Sequence, residues 1–225
     1  PQTNKVLITN IPRDSYLPIQ GGGYGQMDKL THAGVYGIQS SILTLEDFLD
    51  VDINYYTRVN FSSLVNLVDE LGGIIIDNPH GFQTNSGLYH FPEGRISLNG
   101  ESALAYVRER YNLPGGDLSR GENQQRVLEA LIRKGLSPEI LSNYASILDV
   151  LSDSVQTNIS PQHMMKLATH QLAENPSWDI EMAQVTGNSA NRPSYAAGGQ
   201  SLSVVLPDED SVHDAQEAID KLLAG

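Results

Sequence analysis

Six of the chain's 14 lysines and arginines fall within one window of 27 residues. They are Arg108, Arg110, Arg120, Arg126, Arg133 and Lys134. Arginine forks bind phosphate oxygens through paired hydrogen bonds, and several guanidinium groups in one small volume repel each other unless an anion lies between them. The window therefore favours a diphosphate ligand. The alternative is that these cations pair with Glu101, Glu109 and Glu122 as solvated surface charge.

The spacing within this window predicts how the side chains are oriented. Arg108 and Arg110 point the same way only if the helix has ended and the backbone is extended. Asp117, Arg120 and Gln124 follow spacings of three and four, so they line one face of the first turns of a helix. The free N–H groups and the dipole of that helix start also favour an anion.

A second candidate loop follows the first predicted strand, 5–10. In open α/β sheets the carboxyl ends of the strands face the ligand crevice, so Arg13 could join the arginine cluster and Asp14 could orient it. Asp14 and Ser15 could equally be turn residues that hydrogen-bond the backbone. These two roles remain open.

Strands and helices alternate along the chain, which predicts an α/β layered domain with a mostly buried central sheet. Helices are predicted at 28–49, 61–71, 100–107, from 117 or 119 to 134, at 138–151, 161–174 and 211–223. Strands are predicted at 5–10, 55–60, 74–76, 180–185 and 202–206. Composition predicts a mobile loop at 12–26 and a hairpin or irregular excursion at 79–92. Without a convincing linker or repeat, residues 1–225 are expected to form a single domain.

Composition excludes several classes of function. The 225 residues carry 27 acidic and 14 basic side chains, a net charge of −13, which argues against nucleic-acid binding unless the cations are gathered in one place. The absence of Cys excludes disulfides, thiolate metal sites and a Cys nucleophile. The glycines at 21–25 lack the strand, helix and lysine of a phosphate-binding P-loop, so nucleotide binding is rejected.

Five motifs occur in the order typical of the LytR-CpsA-Psr family, which the chain resembles from about Lys5 to Ile132. They are IPRDSY (11–16), DKLTHA (28–33) with YG (36–37), DELGGI (69–74), ALAYVRER (103–110), and DLSR (117–120) with QQRVL (124–128). Beyond residue 132, only the last predicted strand and helix are similar to the family. Each motif is weak alone, but five in order are specific.

The resemblance implies a three-layer α/β/α fold with a central mixed sheet flanked by helices on both faces. It also implies a membrane-anchored, extracytoplasmic enzyme, mainly of Gram-positive bacteria. Such an enzyme transfers a glycopolymer, such as capsular polysaccharide or teichoic acid, from a polyprenyl-diphosphate carrier to peptidoglycan, with Mg²⁺ at the diphosphate. No nucleic-acid partner is expected.

Carried over position by position, the resemblance implies a set of site residues. The residues expected to hold the diphosphate are Arg13, Lys29, Arg108, Arg110, Arg120 and Gln124. Asp117 is expected to orient the arginines, and either Asp14 or Asp117 is the candidate base or metal neighbour.

The chain departs from the family pattern in two places. Asn123 stands where an arginine usually precedes the Gln-Gln pair, so one positive contact is expected to be missing. The family's Mg²⁺-binding aspartates and its transmembrane helix would lie before Pro1, so the chain is expected to be incomplete at its N-terminus and no certain metal ligand is assigned within it.

The lipid-binding region, the role of His32 and the reaction itself each have more than one possible interpretation. A lipid tail needs an apolar tunnel, which the helices at 29–49 and 61–71 could flank, although the same residues could be plain core. His32 could border the site or serve only in helix packing. The rival functions are a lipid-diphosphate hydrolase that uses the same site and a non-catalytic binding or regulatory protein.

Overall fold

The computed structural model describes residues 3–142 and 155–224. The strands are β1 Lys5–Asn10, β2 Tyr16–Ile19, β3 Gln26–Lys29, β4 Thr57–Val59, β5 Ile74–Asn78, β6 Phe82–Gln83, β7 His90–Phe91, β8 Gly94–Leu98, β9 Val155–Thr157, β10 Asp179–Gln184, β11 Gly187–Pro193 and β12 Ser201–Pro207. The helices are α1 Leu30–Ala33, α2 Ile38–Leu49, α3 Phe61–Glu70, α4 Gly100–Arg108, α5 Asp117–Gly135, α6 Pro138–Leu141, α7 Pro161–Glu174 and α8 Glu209–Ala224. The predicted mixed α/β class is confirmed.

The chain divides into two compact units. The first unit comprises Pro1–Asn54 and Asp179–Gly225, and the second unit comprises Tyr55–Trp178. In the first unit β1 pairs in parallel with β10, whereas β2 pairs antiparallel with β3 and β11 with β12. In the second unit β4–β9, β5–β8 and β6–β7 are all antiparallel pairs. The single domain over 1–225 stays a prediction.

The glycine-rich stretch 12–26 is not the mobile loop that its composition predicts. It contains β2 and a short 3-10 helix at Gly21–Gly23. Two hydroxyls of α2 hold its backbone, because the amide of Gln20 donates to Thr44 at 3.0 Å and that of Gly22 donates to Ser40 at 2.9 Å. These long-range partners are invisible in the local composition.

The long helix predicted at 28–49 is broken into several pieces. Strand β3 extends to Lys29, and α1 and a 3-10 turn at Gly34–Tyr36 precede α2. The break falls at Gly37, whose φ of 99° lies in a region that residues with a side chain rarely adopt. The three-four spacing of apolar residues thus continues on both sides of the break, and Gly37 is the only local sequence feature that indicates it.

The core of the second unit surrounds Tyr106, which is fully buried between Phe82 and Phe91. Burial raises the pKa of the Tyr106 phenol, and its hydroxyl donates to Oδ1 of Asn78 at 2.9 Å. Helices α3 and α4 approach closely at Gly100, where a side chain would collide with the carbonyl oxygen of Val65. This packing fixes the start of α4 and hence the direction of its arginine end.

Other predicted elements agree with the structure in part. The helices predicted at 61–71, 100–107, 117–134 and 161–174 and the hairpin in 79–92 are present within a residue or two. Strands β2, β3, β8, β9 and β11 were not predicted. Of the helix predicted at 138–151, the structure describes α6, and its residues from 143 onward lie outside the described part of the chain.

Candidate functional site

Helix α4 carries the first arginine of the candidate site at its last position. Asn99 caps the start of α4 in a reciprocal capping box with Ser102, both hydrogen bonds being 2.9 Å long. The helix ends at Arg108, and Glu109 has extended backbone angles, φ −65° and ψ 139°. The helix end predicted near Val107 is thus confirmed within one residue, and the extended backbone that a shared orientation of Arg108 and Arg110 requires is present at Glu109.

The guanidinium groups of Arg108 and Arg110 lie over different aromatic rings. That of Arg108 is 4.7 Å from the centre of the Phe61 ring, and that of Arg110 is 4.6 Å from the Tyr111 ring. Arg110 also donates to the Tyr111 hydroxyl at 2.7 Å. No carboxylate of the described residues lies within 4.0 Å of Arg108, so the hypothesis of surface ion pairing does not apply to it.

Glu109 organises the turn between the two arginines. Its carboxylate, in a residue only 6% exposed, accepts backbone N–H bonds from Arg110, Tyr111 and Asn112 at 3.0, 2.8 and 3.2 Å. It accepts a fourth from Asn85 at 2.6 Å. Burial raises the pKa of the Glu109 carboxyl, but the four hydrogen bonds outweigh that effect and leave the pKa below its ordinary value. The sequence did not indicate this role: Glu109 figured there only in the alternative interpretation, as a surface partner for arginine.

The first turns of α5 carry the second group of predicted residues. Asp117 and Arg120 share the helix face that their spacing predicts, and they form an ion pair of 2.6 Å there. The side-chain amide of Gln124 donates to the carbonyl oxygen of Val107 at 3.3 Å. This bond ties α5 to the last turn of α4, directly beside Arg108. The end of α4 and the beginning of α5 therefore form one junction, which we call the arginine junction.

The other cations of the 27-residue window are engaged elsewhere. Arg126 pairs with Glu122 at 3.3 Å, Arg133 with Glu129 at 2.8 Å and Lys134 with Glu139 at 3.6 Å. For these three, ordinary ion pairing is the correct interpretation. Asn123, the departure from the family pattern, is buried and accepts a bond of 2.9 Å from Arg126.

The first unit holds the remaining predicted cations around one carboxylate. Lys29 lies 3.3 Å from Oδ1 of Asp14, and Nε of Arg13 lies 3.8 Å from the same atom. The Arg13 side chain is 63% exposed. The loop is held against β12, because the amide of Val205 donates to the Asp14 carbonyl at 2.8 Å. The convergence of Arg13 and Lys29 with the arginine junction stays a prediction.

A buried carboxylate fixes the backbone next to Lys29. Asp28 is 1% exposed, and its Oδ1 accepts from the Lys29 amide and the Ser194 hydroxyl, both at 2.8 Å. His32 Nδ1 lies 2.7 Å from the same atom, and the amide of Ala196 donates to Oδ2 at 2.7 Å. Burial raises the pKa of Asp28, but these hydrogen bonds outweigh it and lower the pKa overall. His32 is therefore a hydrogen-bonding partner of the buried Asp28 carboxylate. The sequence did not indicate this role of Asp28.

An apolar cavity of about 540 Å³ adjoins the arginine junction. Its walls come from β4, α3, the end of α4 and α5, and they include Leu64, Leu67, Leu128, Val107 and Gln124. Helix α3, one of the two helices expected to flank a lipid tunnel, lines this cavity. The 29–49 segment contributes no residue to it, and α5 supplies the opposite wall. That a lipid tail occupies this cavity stays a prediction.

The described residues do not supply a complete metal site. Across 3–142 and 155–224, no group of three or more His, Asp or Glu side chains is arranged to hold a metal ion. The two candidate carboxylates, Asp14 and Asp117, are each paired with a cation. No helix in the described part of the chain is long and apolar enough to cross a membrane.

Comparisons with known proteins agree with the motif resemblance. The profile of the LytR_cpsA_psr family matches residues 1–220. A polyisoprenyl-teichoic acid–peptidoglycan teichoic acid transferase TagU from Enterococcus faecalis is 39% identical over 169 residues, which are 75% of this chain and 54% of that protein. The chain thus spans about half the length of the curated relatives it matches.

Two solved structures share the fold at 30% identity. One, an Enterococcus faecalis protein described as a transcriptional regulator, has a TM-score of 0.81 and covers 98% of this chain and 78% of its own. The other, Bacillus subtilis TagU, has a TM-score of 0.73, and the match covers 98% of this chain and 86% of the TagU chain.

Proposed function

This chain belongs to the LytR-CpsA-Psr family, and from that premise we propose that it transfers a glycopolymer from a polyprenyl-diphosphate carrier to peptidoglycan. The curated relative is named as a transferase of teichoic acid, which makes teichoic acid the first candidate polymer and capsular polysaccharide the second. A membrane-anchored, extracytoplasmic setting in a Gram-positive bacterium is part of this proposal.

The observation that carries the proposal is a cation without a carboxylate partner that directly follows a residue of the apolar cavity. Arg108 has no carboxylate partner among the described residues, whereas the adjacent Val107 lines the cavity. A polyprenyl diphosphate has an apolar tail that matches the cavity and an anionic headgroup that matches the cation. Burial of each methylene of its tail contributes about 0.8 kcal/mol, and arginine forks suit its phosphate oxygens.

The proposed reaction is phosphoryl transfer. An acceptor sugar hydroxyl attacks the phosphorus that carries the glycan, a new P–O bond forms, and the bond to the polyprenyl-phosphate leaving group breaks. The arginines stabilise the charge that accumulates on the leaving phosphate. The proton of the hydroxyl passes to a carboxylate, for which Asp14 and Asp117 are the candidates. Arg13, Lys29, Arg110 and Gln124 complete the proposed diphosphate site.

Mg²⁺ is included in the proposal only because it would bind to the diphosphate itself. The described residues do not form a metal site, so no catalytic step is assigned to the ion.

A transfer assay with a lipid-diphosphate glycan and a peptidoglycan acceptor tests the function. We expect polymer to appear on the acceptor and polyprenyl monophosphate to be released together. Release of glycan phosphate at the same rate without acceptor would instead identify the hydrolase. A salt-dependent shift of duplex DNA, without transfer, would support the regulatory alternative.

A further inference from the structure

A second cavity, of about 350 Å³, lies in the second unit between the hairpin β6–β7 and one face of α4. We call it the hairpin groove. The hairpin contributes Asn85 and Tyr89, and α4 contributes Glu101 and Arg108, which are separated by seven residues and so share a helix face. Its volume falls within the range of about 300–1,000 Å³ that is typical of small-ligand sites.

The groove presents polar groups that have no partner in the described residues. These are the side-chain amide of Asn85, the carboxylate of Glu101 and the hydroxyl of Tyr89. An amide both donates and accepts, and a carboxylate accepts from hydroxyl or acetamido groups. The rings of Tyr89 and Tyr111 add apolar surface, the latter being 67% exposed. This combination is suited to a saccharide, which has hydroxyls along its edges and C–H groups on its faces.

The two walls of the groove are hydrogen-bonded to each other. The amide of Asn85 donates to Glu109 at 2.6 Å, and the side chain of Asn112 donates to the Gln83 carbonyl at 2.9 Å. The hairpin is therefore fixed on the same carboxylate that shapes the turn after α4. A ligand meets a preformed groove, so binding costs little ordering of the protein.

The end of α4 borders both cavities. Arg108 lines the hairpin groove, whereas the preceding Val107 lines the apolar cavity. A glycan in the groove would therefore reach the cation that is proposed to bind the diphosphate. The Glu101 carboxylate and the net charge of −13 disfavour a polyanionic segment in the rest of the groove.

We propose that the hairpin groove binds an N-acetylated saccharide segment without phosphate groups, the chemistry of a peptidoglycan glycan strand, and directs it towards Arg108. This inference rests on the proposed function, whose acceptor it locates. The phosphate-rich glycan of a teichoic acid is the other source of sugar and forms the second arm of the test.

The test is a titration calorimetry series on the purified protein with two lipid-free probes, a soluble peptidoglycan oligosaccharide and a teichoic acid oligomer. The groove variant combines Asn85→Ala, which removes the side-chain amide but keeps the backbone N–H that binds Glu109, with Glu101→Gln, which removes the negative charge. The matched control combines Asn66→Ala with Glu70→Gln, at exposed positions of α3 in the same unit. We expect the groove variant to bind the peptidoglycan oligosaccharide about tenfold more weakly and the control to bind it as the wild type does.

Equal oligosaccharide affinity in the groove variant and the wild type would overturn the proposal, as would binding of the teichoic acid oligomer alone. Farnesyl diphosphate is titrated in parallel and is expected to bind both variants equally. If the wild type binds no farnesyl diphosphate and shows no transfer, but saccharide binding still depends on Asn85 and Glu101, the proposed function fails and the groove assignment stands.

Discussion

Glu109 accepts a 2.6 Å hydrogen bond from the backbone amide of Asn85, which lies 24 residues earlier in the chain. The same carboxylate accepts from the three amides that follow it, including that of Arg110. One buried anion thus joins the β6–β7 hairpin to the turn between the two arginines. The geometry of the arginine junction depends on this acidic side chain as well as on the basic ones.

Replacing Glu109 with Gln should reduce stability in a pH-dependent way. A carboxyl whose pKa is lower in the folded than in the unfolded state stabilises the fold above its ordinary pKa of about 4, and this contribution is lost as the pH falls through the lower folded value. We expect Glu109→Gln to cost about 1–3 kcal/mol at neutral pH, because an amide cannot accept on both sides. Urea unfolding of both proteins at several pH values should show the difference shrinking in acid. A difference that is constant with pH would contradict this account.

Asp28 should support the first unit in a comparable way. Asp28→Asn places an NH₂ group where the carboxylate accepted from backbone and hydroxyl donors, so we expect a loss of about 1.5–3 kcal/mol in unfolding free energy at neutral pH. Asp52→Asn, at an exposed position in the same unit, is the matched control and should change stability by less than about 0.5 kcal/mol. Chemical denaturation measures both, and similar effects of the two substitutions would argue against a supporting role for Asp28.

Filling the apolar cavity should weaken binding of the lipid tail selectively. Leu128, which lines the cavity, is 45% exposed, so Leu128→Trp adds volume without forcing a large ring into the core. We expect affinity for a long-chain polyprenyl diphosphate to fall about tenfold or more, with a smaller effect on inorganic diphosphate. Leu172→Trp on α7, at 47% exposure and outside the cavity lining, is the control. Unchanged long-chain affinity in Leu128→Trp would exclude this cavity as the tail site.

Local sequence signals predicted the elements that carry the arginine junction. Local contacts and spacings of four residues or fewer account for the cap at Asn99, the end of the helix before Arg110 and the shared helix face of Asp117 and Arg120. Such contacts depend mainly on the period of the helix and on its free terminal groups, which are properties of the local sequence.

The supports of the site could not be predicted because their partners are distant in the chain. Asp28 receives hydrogen bonds from residues 166 and 168 positions later, and Gln124 bonds to a carbonyl 17 positions earlier. Strand β11, which pairs with β12, has polar and small residues without a clear alternation and gave no strand signal. In each case tertiary pairing, rather than local pattern, determines the structure.

The most direct test of the diphosphate site is the affinity of farnesyl diphosphate for the wild type and for the Arg108→Ala/Arg120→Ala double variant, measured by titration calorimetry. Arg133→Ala, on the same helix as Arg120 but paired with Glu129, is the control. We predict that the double variant binds about 100-fold more weakly and that the control binds as the wild type does, since each charged hydrogen bond contributes about 1.5–3 kcal/mol. A double variant with wild-type affinity would contradict the assignment of the arginine junction as the diphosphate site.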